Sequence, residues 1–430
     1  MTQRRRRLAH RPGAGGALPG AVAAPALVAL VALVALSIPL AAAGPALVPG
    51  AATDAPAWLL GIFGEGLGLS PAAFLGLLYA ALIAWALAAA GAAALSRRLL
   101  LGAGAALIAL FALAPPLLSL DVFSYISYAR LGVEHGLNPY DYPPAAIPGD
   151  EAAARVEDFR DAVSVYGPLF TLASYPLGAL GVPAALWGLK AIAAASLAGI
   201  AALVARLAAL RGVEPAGAAA LVALNPLVLV HLVGGAHNDA LMVLVAMLAI
   251  AAALAERTAG AGIALVGAAA IKASGALYAP FALAGSERRG RLAAAIVASA
   301  LAVGAVALLV FGSSALEAVG VAGDNQATVS RWSVPGTVSR LSGADVDALR
   351  ALLGAGFVLA VIWLLAWVAR GGDWVRAAGW AAFALLIASA YMAPWYLIWL
   401  LPLAAISRDR VLIAGSVALS VLQAVNGVPL

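Results

Sequence analysis

The sequence predicts an all-α polytopic membrane protein of about 13 transmembrane helices, with long outer loops that carry interfacial helices. Three observations carry that prediction. The 430 residues are 64% apolar and only 10% charged, with a mean hydropathy of +1.01; a soluble domain is nearer half apolar and a quarter charged. At ~20 apolar residues per crossing, a chain of this length supplies about a dozen spans and their loops. The cations are segregated among those loops, which gives an orientation as well as a count. A soluble enzyme and a single-pass receptor are excluded. The absence of Cys excludes disulfides, Fe–S clusters and thiol catalysis, and four His in all argue against a His-rich metal site.

The elements follow in order. Residues 1–20, with Arg4 to Arg7, read as a disordered basic tail held to anionic lipid, and 21–430 as a single membrane domain. Spans are predicted at 22–43, 71–95, 99–119, 183–205, 216–235, 240–255, 258–272, 273–285, 292–312, 346–369, 377–392, 393–406 and 411–428. The first is longer than the ~7 to 15 residues of a signal core and reads as an uncleaved anchor. The spans 258–272 and 273–285 are short for a bilayer, as helices that stop at an internal cavity would be. With the amino terminus inside, 17 of the 25 Lys and Arg fall on cytoplasmic segments and 6 on outer ones, while Lys190 and Lys272 lie within spans. Of the 20 acids, 15 lie outside, so the polar chemistry is placed on the outer face of a plasma-membrane protein. Residues 166–181 look apolar enough to cross, yet a crossing there would invert every later loop; they read as a half-buried interfacial helix. No internal repeat of Gly- or Pro-broken segments is found, which weakens a transporter reading.

Candidate chemistry starts in the outer loop 120–167. Asp121 directly follows a span, where partial desolvation would raise its pKa and make it a better base; an N-cap of the following helix is the competing account. Tyr125, Tyr128 and Arg130 lie within that helix, and Tyr166 stands at the loop's far end. The acidic stretch 150–163 has helical spacing and mixed charge and reads as a solvated surface helix. His237, Asn238 and Asp239 fall together at another predicted outer boundary, with donors and acceptors for a sugar, a phosphate or a water, or simply as helix caps. Lys272 sits in apolar surroundings between two short spans, where an ammonium is expensive unless it meets an anion or snorkels to water. Lys190, mid-span and without polar neighbours in sequence, reads as structural. Arg331 beside Trp332 would clamp a phosphate while the ring stacks on a sugar. Trp395 and Tyr396 belong to an aromatic run, 391–402, that suits either an interfacial belt or saccharide stacking.

Taken in order, DVFSYISYARLGVEHGLNPY, VYGPLF, NPLVLVHLVGGAHNDALM, the lone Lys of AAIKASGALYAP and APWYLIWLLPL resemble the GT-C glycosyltransferases, which take a sugar from a polyprenyl phosphate outside the membrane. The resemblance is greatest to the actinobacterial polyprenol-phosphate-mannose-dependent α-1,6-mannosyltransferases of lipoglycan synthesis, and runs from about residue 120 to 402. It implies a GT-C-like fold, Asp121 as catalytic base, a polar cluster at His237, Asn238 and Asp239, and a lipid-phosphate contact at Lys272; with Arg331, read from its own sequence context, these make up the expected donor site. The sequence context, apart from the resemblance, supplies Tyr125, Tyr128, Arg130, Tyr166, Trp332, Trp395 and Tyr396 as the expected sugar and acceptor contacts. The implied partners are polyprenyl-phosphate-mannose, a lipid-linked glycan acceptor and membrane lipid; no nucleic acid, metal or other cofactor is expected. One base serves an inverting displacement, and a cation beside the departing phosphate stabilises the developing charge. The rival reading is a transporter or flippase of a lipid-linked sugar, and a polysaccharide polymerase or ligase would share the same outer face.

Overall fold

The computed structural model describes residues 18–42, 47–48, 56–63, 68–157, 159–316 and 328–429. The predicted tail at 1–20 therefore lies almost wholly outside the described residues. Among those described, every regular element is helical. Five helices are long and apolar enough to cross a membrane: α1 (Gly20–Ala42), α2 (Pro71–Ala90), α6 (Val182–Leu210), α11 (Arg289–Phe311) and α13 (Val346–Ala369). A bent pair makes a sixth, so the chain is a polytopic membrane protein with fewer full-length spans than the thirteen expected.

The difference lies in how the remaining apolar segments are built. The expected span 216–235 is α7 (Pro215–Ala223) followed, after a 60° bend, by a π-helical turn at Val228–Gly234. Pro226 causes the break, because it has no N–H to donate and its ring clashes with the preceding turn. Asn225 repairs the freed backbone by accepting from the N–H groups of Leu227 (2.9 Å) and Val228 (3.3 Å). Residues 273–285 divide into a 3-10 turn, Ala273–Tyr278, and the short α10 (Ala279–Gly285). The stretch 393–406 divides likewise into a 3-10 turn at Pro394–Trp399 and α15 (Leu401–Ile406), each with a proline in its first turn. The span expected at 99–119 ends at Leu113 of α3 (Arg97–Leu113), and 114–120 runs without helix to α4 (Asp121–Val133). Unlike a regular helix, these broken segments bring backbone and side-chain polar groups inside the protein, where other elements satisfy them.

The loop 120–167, expected on the outer face, departs from expectation in one place. Residues 150–163 form no surface helix; they hold one 3-10 turn at Ala153–Arg155, and Asp150 is buried. It accepts from Arg130 Nε (2.8 Å) and lies 3.2 Å from His135 Nε2, so helical charge spacing here served a loop clamp instead. The segment 166–181 contains α5 (Pro168–Ala179), whose 12 residues span ~18 Å, too short for a ~30 Å hydrocarbon core. It packs on α4. The core continues through α8 (Asp239–Leu254) and α9 (Thr258–Ile271), which pack on one another, and α9 packs on α11. The amphipathic α12 (Val334–Ser342) leads into α13, which packs along α14 (Trp374–Ala388), and α16 (Arg410–Gln423) closes the chain. At the ends of three of these helices, Arg211 just past α6 pairs with Asp373 at the start of α14, and Arg376 of α14 with Asp409 at the start of α16 (2.7 Å). These pairs join α6, α14 and α16 through cations that the charge pattern assigned to one membrane side.

Candidate active site

The π-helical turn ends in Gly234-Gly235-Ala236-His237-Asn238, and local backbone strain marks it. Ala236 has φ +57°, a left-handed conformation that costs a non-glycine residue free energy. A Cβ on Gly235 would stand 2.5 Å from the His231 carbonyl oxygen and 2.8 Å from His237 Nε2, so the turn closes only with glycine there. Lys190 of α6 is fully buried and donates to the carbonyls of Val233 (3.3 Å) and Gly234 (2.8 Å), holding the last turn of the π-helix by its free acceptors. The sequence marked Lys190 as structural; its target is this turn.

The turn presents His237 to Asp121. His237 Nδ1 lies 3.4 Å from Asp121 Oδ2 and 3.3 Å from the Tyr125 hydroxyl, and its ring stacks on Trp395 at 3.6 Å between centroids. Its Nε2 and both amide atoms of Asn238 are buried without a hydrogen-bond partner among the described residues. Asp121 is the first residue of α4 but caps nothing: its carboxylate makes no bond to the helix's free N–H groups. Burial acts to raise the Asp121 pKa, but His237, Lys272 and the Ser119 hydroxyl outweigh it, and the carboxyl is held below its ordinary value. The expectation of a raised pKa is thus reversed, because folding places cationic and donor groups beside the carboxylate. The neighbouring Tyr125 and Tyr166 hydroxyls are pushed up by burial and by the acids around them, so they remain neutral donors.

Asp239, fully buried, does not cap α8 either. It accepts from Lys272 Nζ and from Trp399 Nε1, each at 2.7 Å. Lys272, at the break between α9 and the following 3-10 turn, therefore meets an acid instead of snorkelling. Its ammonium also lies over the rings of Tyr396 (4.9 Å) and Trp399 (5.7 Å), which stack on each other. The chain reaches this spot through Gly167, whose N–H donates to the Ile271 carbonyl; a Cβ there would stand 2.0 Å from the Ala270 oxygen. That close approach seats Tyr166 beside Lys272. Asp121, Tyr128, Tyr166, Lys272 and Tyr396 then line one cavity of about 60 Å³, with Tyr391 in its wall.

Three expected site residues stand elsewhere. Arg130 is committed to Asp150 and the Gly178 carbonyl. Arg331 and Trp332 line neither this cavity nor its larger neighbour; Arg331 and Arg340 both lie over the Trp332 ring, whose backbone carbonyl accepts from Gln423. Trp399 and Tyr391 were not singled out in sequence, although both stand in the aromatic run that was.

Comparison with known proteins bears on this arrangement. The family model described as alpha-(1->6)-mannopyranosyltransferase, N-terminal domain, matches residues 21–288, and the MptB C-terminal domain model matches 335–429. The chain belongs to the α-(1→6)-mannopyranosyltransferase family. Among the similar proteins of this family, alpha-(1->6)-mannopyranosyltransferase A of Mycobacterium tuberculosis is 30% identical over 349 residues, covering 72% of this chain and 66% of that one. The protein of the same name from Corynebacterium glutamicum is 30% identical over 172 residues, 39% of this chain and 35% of its own. The aligned parts thus span about one third to two thirds of these α-(1→6)-mannopyranosyltransferases. The N-terminal family match includes Asp121, His237, Asp239 and Lys272; the C-terminal one includes Trp395, Tyr396 and Trp399.

Proposed function

We propose that this protein transfers mannose from polyprenyl-phosphate-mannose to a lipid-linked mannan or lipoglycan acceptor, with inversion, forming an α-1,6 linkage. The observation that carries the reading is the sharing of one small cavity by Asp121 and Lys272, an ionised carboxylate and an ammonium. In the reaction an acceptor hydroxyl attacks the anomeric carbon, the bond from that carbon to the phosphate oxygen breaks, and polyprenyl phosphate leaves. Asp121 takes the hydroxyl proton as the new bond forms. Lys272 has three N–H donors, of which Asp239 accepts one, so others remain for the departing phosphate. His237 orients the Asp121 carboxylate, and Asn238 supplies unused donors and acceptors to the sugar. Tyr128, Tyr166 and Tyr396 form the aromatic walls on which mannose stacks, backed by Tyr125 edge-on against Tyr166 and by Trp395 stacked on His237. In the membrane the five long helices, the bent pair and the shorter apolar segments make about thirteen crossings, with the amino terminus cytoplasmic and this cavity on the outer face.

The test is transfer by the purified protein from polyprenyl-phosphate-mannose to an α-mannoside acceptor. Asp121→Asn keeps the shape of the side chain but cannot take the proton, and turnover is expected to fall by ~10² to 10⁴ with thermal stability preserved. Near-normal turnover by Asp121→Asn would remove this carboxylate from the mechanism. Movement of a lipid-linked sugar across a vesicle membrane without any transfer would replace the enzyme reading by the flippase.

A further inference from the structure

The reaction as written uses one nitrogen of His237 and does not use His231 at all. Both rings are fully buried, on the segment that the Pro226 break carries into the protein. Among the described residues, His237 Nε2 and both ring nitrogens of His231 have no hydrogen-bond partner. A buried nitrogen left unbonded is costly, and an internal water making ~3 hydrogen bonds is its ordinary partner. Packing does not account for two such rings, since phenylalanine fills the same space without that cost.

The two histidines lead from Asp121 to the surface. His237 Nδ1 faces the Asp121 carboxylate at 3.4 Å, and the ring stands behind the carboxylate, outside the lining of the cavity. Gly235 leaves room at its other edge, where a Cβ would stand 2.8 Å from Nε2. His237 and His231 both lie against the Trp395 indole, at 3.6 and 6.3 Å between centroids. Beyond His231 comes Gly427, which is exposed and has φ +81°. A Cβ on it would stand 3.3 Å from His231 Cε1 and 4.0 Å from Nδ1, so at this point a glycine stands between the imidazole and the protein surface. Asn426 fixes that end of the chain by donating to the Met392 carbonyl (2.6 Å).

Each transfer releases a proton. The acceptor O–H bond breaks as its oxygen bonds the anomeric carbon, and the phosphate keeps the electrons of the broken C–O bond. Asp121 takes the proton and must lose it before the next turnover. Its carboxyl, held below the ordinary value, retains a proton poorly. The way back through the cavity is occupied by the sugar and passes the Lys272 ammonium, which repels a proton. We infer that the proton leaves by the opposite side, through His237 and His231. Nδ1 of His237 takes it from Asp121 while Nε2 releases one to a bridging water, and His231 passes it to solvent beside Gly427; a flip of the His237 ring then restores the starting tautomer. This rests on the mannosyl-transfer reading, which makes Asp121 the base, while the path is read from the rings themselves.

His231→Phe keeps a ring in place and removes both nitrogens, so its thermal stability should equal or exceed that of wild type. For the purified protein in nanodiscs, kcat for transfer from polyprenyl-phosphate-mannose should fall by ~10², the low end for assisted proton transfer. KM for the donor should not change, and the solvent deuterium isotope effect on kcat should grow. His231→Ala vacates the ring's place beside Gly427, and added imidazole should restore its activity without restoring that of Asp121→Asn. Exchange of the His237 ring N–H with water, followed by 15N NMR of histidine-labelled protein, reads the path without turnover and should slow in His231→Phe. Either a wild-type kcat or a wild-type exchange rate in His231→Phe would overturn the proposal, the proton then leaving through the cavity with the phosphate. So would a His231→Ala protein whose activity imidazole does not restore, because the ring would then be structural. A wild type that transfers no mannose, with exchange at His237 still dependent on His231, would instead remove the mannosyl-transfer reading and leave the path standing.

Discussion

Lys272 shows what a single expensive residue reveals. An ammonium among apolar segments needs an anion or water, and this one finds Asp239, 33 positions away, at 2.7 Å. A buried pair contributes little net stability compared with an apolar replacement of the whole pair, but removing one member strands the other. Lys272→Met should therefore destabilise the protein by about 3 to 5 kcal/mol, since Asp239 would keep only the Trp399 N–H. The double variant Lys272→Met with Asp239→Asn should recover most of that loss while lipid-phosphate binding stays weak. Thermal unfolding and phosphate binding across the four proteins separate the two effects; a Lys272→Met protein as stable as wild type would mean that the pair does not form. The cost of Lys272 was legible in the sequence. Its partner was not, because nothing in a one-dimensional string brings position 239 to position 272.

At the scale of elements, the helices that matter most for the site are the interrupted ones. Pro226, Pro394 and the Lys272 break end helices inside the protein, and the freed segments carry His237, Trp395 and Lys272 to one place. Lys190 shows the same logic from the other side, a cation on a regular helix serving the free carbonyls of a broken one. The loop 120–167 is held comparably by Asp150. Burial acts to raise the Asp150 pKa, but Arg130, His135 and the Ala152 N–H outweigh it, so the carboxyl stays below its ordinary 3.8. A depressed folded value stabilises the loop fully above the ordinary pKa and loses that contribution as pH falls through the folded one. Protection from hydrogen exchange across 134–165, relative to the intrinsic rate at each pH, should thus be unchanged from neutral pH down to about 4 and fall below it. Asp150→Asn should exchange faster at neutral pH and lose the acid dependence. A loop that opens between pH 7 and 5 would assign its hold to a different group.

For the whole molecule, orientation decides on which side the chemistry is done. The proposed placement of the loop 120–167 and its cavity on the outer face rests on the split of 17 loop cations against 6. Because the chain has no Cys, single introduced thiols report cleanly. Glu151→Cys, half exposed in the outer loop, should react with an impermeant reagent in intact cells, and Arg289→Cys, at the start of α11, only after permeabilisation. Labelling of Arg289→Cys alone in intact cells would invert the molecule and put the cavity in the cytoplasm.

Composition and periodicity determined on their own that this chain lives in a bilayer, that it is helical, where most helices lie, and which few polar residues are too costly to be incidental. Those are local properties, set by how each short segment partitions between lipid and water. Only the tertiary structure decided that Asp121 faces His237 and Lys272 and so has its pKa lowered, that Arg130 serves Asp150, and that Arg331 and Trp332 stand apart from the cavity. Electrostatic and packing effects fall off over a few ångströms of space, and residues 121, 166, 237, 272 and 396 become neighbours only when proline breaks and glycine contacts fold their segments together.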